Sequence, residues 1–366
     1  MNDRSLPSWA TALLIPAINL ALAFLASGIV VLIAGQDPLR AMQVMATGAF
    51  GSGEALGWTL YYATSFIFTG LAVAVAFHAG LFNIGGEGQA MLGGLGAALV
   101  ALWLGDSLPW WAVLPVATLA AALFGMTWAL PPAWAQARRG SHIVITTIMF
   151  NFIASTLLVY LLVNVLIVPG RMAPQSRRFG DGGQIPDLRG LFAALGLDSG
   201  ASPVNVTLFL ALLAAAAVWV LIWRTRLGYE IRAVGHAPAA AANAGIDPAR
   251  IILIAMGVSG ALAGAMALNP VLGEAGRLKL DFTLGAGFVG IAVALMGRCH
   301  PAGILPAALL FGALYQGGAA LSFEMPGISR NMVAVIQALV ILFTGALENM
   351  TRPLVQRLIA APIRRA

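Results

Sequence analysis

The chain is poor in charge. Of its 366 residues only 9% are Asp, Glu, Lys or Arg, against roughly 25% in a water-soluble protein. With 60% hydrophobic residues there is too little polar surface to enclose a soluble core of this size, which points to a bilayer. Cysteine occurs once, at Cys299, which excludes an internal disulfide, and the four histidines (His78, His142, His236, His300) lack metal-ligand spacing. Lysine also occurs once, at Lys279, flanked by two leucines, so the chain has no GxxxxGK[ST] phosphate loop. Nor is there a Gly-x-Ser-x-Gly elbow, an HExxH pair or a carboxylate dyad suited to catalysis. The net charge of +6 comes from arginines lying between apolar runs, without the aromatic interleaving of a nucleic-acid surface.

What remains is a succession of apolar runs, and about 20 such residues make one crossing. The expected class is an all-α polytopic membrane protein with about ten transmembrane helices. They are placed at Thr11–Ala34, Trp58–Phe77, Ile84–Leu104, Trp110–Leu130, Ile143–Val168, Val206–Trp223, Ile251–Leu272, Phe282–Met296, Ala302–Leu321 and Asn331–Leu347. The first run exceeds the 7 to 15 apolar residues of a secretory signal and reads as a retained helix. Between Trp58 and Leu104 the glycines at 80, 85, 86 and 88 divide two spans or a re-entrant pair. The Lys and Arg bias favours both termini on the cytoplasmic side of a bacterial inner membrane. It places Arg138, Arg139, Arg224, Arg232 and Arg250 inside and Arg171, Arg177, Arg178 and Arg189 outside, with Arg4 and Arg365 inside as well. The whole chain, 1–366, reads as a single transmembrane domain with two long connections, one external (169–205) and one cytoplasmic (224–250).

Three features invite function. The cytoplasmic connection carries an alanine run between Pro238 and Gly245, a short helix without bulk that a soluble motor can grip or that merely connects. The segment Gly80-Leu-Phe-Asn-Ile-Gly-Gly-Glu-Gly-Gln sets Glu87 among glycines at a helix start. A charge at membrane depth faces a cavity or a partner, so Glu87 is either part of a pathway or gate, or a cap on a helix beginning near Ala90. Polar residues inside spans (Asn83, Gln89, Asn151, Asn164, Asn269, Gln316, Gln337), with Phe150, Phe152 or Phe288 as stacking surfaces, either line a route for a neutral polar solute or bond helix to helix. Pairs such as Gly260 with Gly264, Gly285 with Gly287 and Gly312 with Gly317 predict close helix packing. Lacking a nucleotide site, such a chain is driven by a separate motor or by an ion gradient acting through a carboxylate such as Glu87; the second is a secondary transporter of a small polar solute.

The Gly80–Gln89 segment resembles the binding-protein-dependent ABC permeases of the ribose and branched-chain-amino-acid superfamily, nearest to their nucleoside, or simple-sugar, branch. So do Arg232-Ala-Val-Gly-His with the following Ala-Gly-Ile, and Asp281-Phe-Thr-Leu-Gly-Ala-Gly-Phe. The resemblance implies inverted-topology repeats around a central pathway, for which Asn83, Glu87, Gln89, Asn151 and Phe288 are the pathway or gate candidates read from the residues themselves. It implies a coupling segment through Arg232, Gly235, Ala240, Ala241 and Gly245 that docks on an ABC ATPase. It also implies a second permease subunit, a periplasmic or lipoprotein substrate-binding protein, no cofactor, and import of nucleosides or related sugars.

Overall fold

A computed structural model describes residues 14–346, so Arg4 and Arg365, expected on the cytoplasmic side, lie outside the described residues. The chain forms two compact units. One is Met1–Gly51 with Ala313–Ala366 and the other is Ser52–Gly312.

In the first unit α1 (Ile15–Ile33) ends at Gly35 (φ 72°), and after a bend of 117° α2 (Pro38–Phe50) begins. Sequence reading placed no helix there. The start signal was present: Asp37 accepts the Leu39 N–H, and Pro38 occupies the first helical position, where its missing N–H costs nothing. What is missing from α2 is the length to span. Its residues Ala41 and Val44 pack with Val31 of α1 and with Leu321, Met325, Val333 and Ile336.

The second unit begins with α3 (Gly53–His78), whose N-cap Ser52 accepts the Ala55 N–H. There follow α4 (Gly86–Leu104), α5 (Trp110–Arg139), α6 (Ile143–Asn164), the short α7 (Arg189–Ala194), α8 (Thr207–Arg224), α9 (Arg226–His236), α10 (Pro238–Asn243), α11 (Pro248–Ala265) and α12 (Ala286–Met296). Next, α13 (Pro301–Glu324) runs from this unit into the first, which ends in α14 (Arg330–Ala346). α11 continues as a π-helical segment, Asn269–Ala275. Its most extensive packing is against α5, where Gly125 meets Gly260 and Gly264 backbone to backbone. This bears out the close packing expected of Gly260 and Gly264.

The class is as expected, an all-α polytopic membrane protein, but the count is not uniform. Among the described residues seven helices are long and apolar enough to cross a membrane by themselves, and there are eight if the bent α1–α2 pair counts as one span. Two of the ten predicted spans are shorter apolar helices, Ala286–Met296 and Asn331–Val340. Boundaries shift for physical reasons. α5 runs on past Pro131 and Pro132 to Arg139 and stops at Gly140 (φ 66°), so the prolines remove two backbone donors without ending the helix. The expected helix at Phe282 starts only at Ala286, because Asp281, Leu284 and Gly285 hold positive φ (55°, 48° and 74°). The alanine run is not one helix with what precedes it: Ala237 is extended (φ −153°) ahead of Pro238, separating α9 from α10.

Candidate functional site

After α3 the chain turns at Gly80 (φ 72°) and runs without helix to Gly85. This stretch does not leave the bundle. The Asn83 amide donates to Ser259 Oγ of α11 (2.8 Å) and to Gln89 Oε1 (2.9 Å), while its oxygen accepts from the Gly85 N–H (2.9 Å) and Gln89 Nε2 (3.2 Å). Ser259 Oγ in turn donates to the Ala72 carbonyl (2.6 Å). Ala72 lies six residues before the end of α3, about 9 Å at ~1.5 Å per residue, so α4 starts inside the bundle. Such a start leaves orphan N–H groups where no water reaches. Asn151 of α6 supplies a partner, accepting the Gly88 N–H (2.9 Å) and donating to the Ile84 carbonyl (2.9 Å).

A second non-helical stretch approaches from the other end. Gly276 and Leu278 are held by the long connection: the Phe179 N–H donates to Gly276 O (2.8 Å), the Ser176 N–H to Leu278 O (2.9 Å) and the Leu278 N–H to Ser176 Oγ (3.0 Å). From there the chain descends to α12, whose first N–H groups meet Glu87. That carboxylate accepts from Thr283 Oγ1, from the Gly285 N–H (3.2 Å) and from the Gly287 N–H (2.8 Å). Negative charge at a helix N-terminus is favoured by the exposed N–H groups and the helix dipole. Glu87 is 6% exposed and caps α12, not a helix beginning near Ala90; its own helix already starts at Gly86.

The structure therefore joins four of the five sequence-predicted pathway residues, Asn83, Glu87, Gln89 and Asn151, in one buried cluster. Phe288 follows Gly287 on α12 and is 47% exposed. Two other polar residues expected inside spans bond elsewhere, Asn164 within its own helix and Gln337 from α14 to α13. Asn164 donates to the Tyr160 carbonyl and Gln337 to that of Leu314, while Phe150 stacks edge-on against Trp128 (5.3 Å).

A second polar knot, at the end of α3 toward residues 169–205, was only partly legible. The Asn269 amide donates to the Tyr61 carbonyl (2.8 Å) and Ser65 Oγ (2.9 Å), and its oxygen accepts from Asn205 (2.9 Å) and Thr207 Oγ1 (3.1 Å). Ser65, Asn205, Thr207, Ser259 and Thr283 were missed because lone small polar residues carry no pattern. One signal was available for Thr283. Phe82-Asn-Ile-Gly-Gly-Glu87 recurs as Phe282-Thr-Leu-Gly-Ala-Gly287, 200 residues on, and each copy leads into a buried helix start.

The residues assigned to coupling sit apart from this cluster, on α9, on α10 and in the turn after α10. Gly235 packs against the His78 carbonyl and the Gly80 nitrogen, where a side chain has no room. Arg232 Nε donates to Gly228 O (3.4 Å), Ala241 is buried, Ala240 is exposed, and Gly245 closes the turn at φ 83°. Beside Gly235 and His236 a half-open cleft of about 420 Å³ is lined by Phe77, Phe82, Arg298 and Cys299.

Residues 56–345 match the family described as branched-chain amino acid transport system / permease component. The chain is 35% identical to the glucose ABC transporter permease protein TsgB13 of Haloferax volcanii over 93% of its length and 88% of that protein's. It is 35% identical to the guanosine ABC transporter permease protein NupP of Bacillus subtilis, over 91% of this chain and 93% of the relative. With the nucleoside ABC transporter permease protein NupB of Lactococcus lactis it shares 33% over 90% of each.

Proposed function

Because the chain belongs to this permease-component family, and is thus a multi-pass ABC transporter permease subunit whose ATP hydrolysis resides in a separate subunit, we propose that it forms one half of the pathway of a bacterial inner-membrane importer for nucleosides or related sugars. Family membership favours a motor over the gradient-driven alternative, and the family implies a substrate-binding protein as a further partner. A second permease chain completes the pathway; relatives that come as pairs, NupP with NupQ and NupB with NupC, support this. Both termini are cytoplasmic, as are α9 and α10, and residues 169–205 face the periplasm.

The observation that carries the mechanism is the seat of Gly235 on His78 and Gly80. It puts the exposed α9–α10 loop directly against the end of α3, where the non-helical stretch begins. A motor that grips Ala240 and its neighbours pushes through Arg232, Gly235 and Gly245 on the end of α3 at His78. Alternating access follows if the two non-helical segments, with Asn151 behind them and Phe288 beside them, form the mid-membrane wall of the pathway. A neutral, ring-bearing polar solute suits a wall whose one buried carboxylate is already engaged by three donors.

The test is to purify the tagged chain from its native membrane in mild detergent, identify what accompanies it, and reconstitute the assembly. An ATPase, a second permease and ATP-driven uptake of guanosine or glucose are expected. A chain that emerges alone and moves solute down an ion gradient overturns the proposal.

A further inference from the structure

The two copies of the Phe-x-x-Gly segment are 200 residues apart, and their equivalent positions touch. Gly85 and Gly285 are the N-caps of α4 and α12. Glu87 and Gly287, also equivalent, are bonded to each other at 2.8 Å, with the Glu87 carboxylate on the Gly287 N–H. Contact between a residue and its own counterpart is what a two-fold relation between two repeats produces at its axis, and here the two helix starts meet. The repeats differ at this point in a purposeful way. A side chain at 287 has no room, because its Cβ lies 2.6 Å from Glu87 Cα, and the carboxylate is present once for two helix N-termini.

The other end of α12 returns to the loop that faces the motor. The His78 Nε2–H donates to the Cys299 carbonyl (3.0 Å), the His78 ring meets Trp223 edge-on (5.1 Å), and Trp223 packs on His300 (4.6 Å). Gly235 rests on the same His78. Eleven residues of α12 thus make a rod of about 16 Å between this cluster and Glu87.

We propose that Glu87 is the positioning residue that makes the starts of α12 and α4 move together, so that displacement at the α9–α10 loop reaches the middle of the membrane through α12. The inference rests on the coupling role proposed for that loop. Glu87→Gln keeps the shape but turns an amide NH2 toward donors, so at least one of the three bonds is lost. Thr283→Val removes one donor and leaves the charge.

The experiment uses the reconstituted complex and compares hydrogen exchange in residues 85–90 and 285–290 with and without ATP and vanadate. In the wild type both segments are expected to change together. In Glu87→Gln the change persists at 285–290, falls at least fivefold at 85–90, and guanosine uptake per ATP hydrolysed falls at least tenfold. Thr207→Val serves as control: it removes a bond in the other polar knot, and loss of stability there leaves the paired response intact. If residues 85–90 respond in Glu87→Gln as in the wild type, the proposal is overturned. If that variant does not assemble, Thr283→Val decides: a two- to fivefold weaker response at 85–90 supports the proposal, and an unchanged one refutes it. A wild-type complex that hydrolyses ATP but takes up no guanosine sinks the substrate reading alone, since the exchange measurement does not depend on it.

Discussion

Two glycines seven residues apart on α11 are expected to respond oppositely to the same substitution. In Gly264→Ala the new methyl group would lie 3.1 Å from Gly125 Cα and 3.2 Å from the Ala121 carbonyl carbon, and closer still to the Ala121 oxygen. All three are backbone atoms of α5, which no rotamer change can move, so the helices must separate along their most extensive contact. Overpacking of this kind costs about 1–3 kcal/mol, against which alanine returns roughly 1 kcal/mol of helix propensity. In Gly257→Ala the methyl group would meet only side chains, Met126 Cγ at 3.4 Å and Leu130 Cδ2 at 3.9 Å, which is ordinary contact. Here the propensity gain stands nearly alone, up to about 1 kcal/mol in favour of the variant. Thermal unfolding of both variants in mild detergent is the assay, with Gly264→Ala melting lower and Gly257→Ala equal to or higher than the wild type. Shifts of the same sign and size would refute the claim that backbone contact, not side-chain packing, fixes the α5–α11 distance.

Burial pushes the Cys299 thiol up to about 12, so near pH 8 its thiolate is scarcer than that of a free cysteine by about three orders of magnitude. Because the raised value keeps the thiol neutral throughout the physiological range, maleimide should label the protein after denaturation in detergent but not in native membranes, with reactivity rising only at strongly alkaline pH. Asn269→Ala removes four hydrogen bonds, each worth about 0.6 kcal/mol on average inside a membrane, and should lower stability by about 2 kcal/mol in the same unfolding assay. By contrast Lys279→Met breaks a partly exposed ion pair to Glu274 and should cost less than about 1 kcal/mol. A loss as large as that of Asn269→Ala would show that the pair holds the descending segment in place.

Composition and periodicity determined the class, the long spans, the absence of a nucleotide site and the close packing of Gly260 and Gly264. All of these depend on local quantities, the apolar content of about 20 residues or the lack of a side chain, that sequence states directly. Asn83, Glu87, Gln89 and Asn151 were legible as candidates for the same reason, since a polar group in an apolar run is visible without coordinates. Their arrangement was not. That Glu87 caps α12 across 200 residues, and that Asn151 caps α4, depends on where two interrupted helices meet, and no local propensity encodes that meeting. The α1–α2 bend escaped because α2 is too short to register as a span, although Asp37-Pro38 marks its start. Tertiary structure alone decided which buried polar groups face one another, because a hydrogen bond between distant segments is fixed by the packing of whole helices and not by the residues that make it.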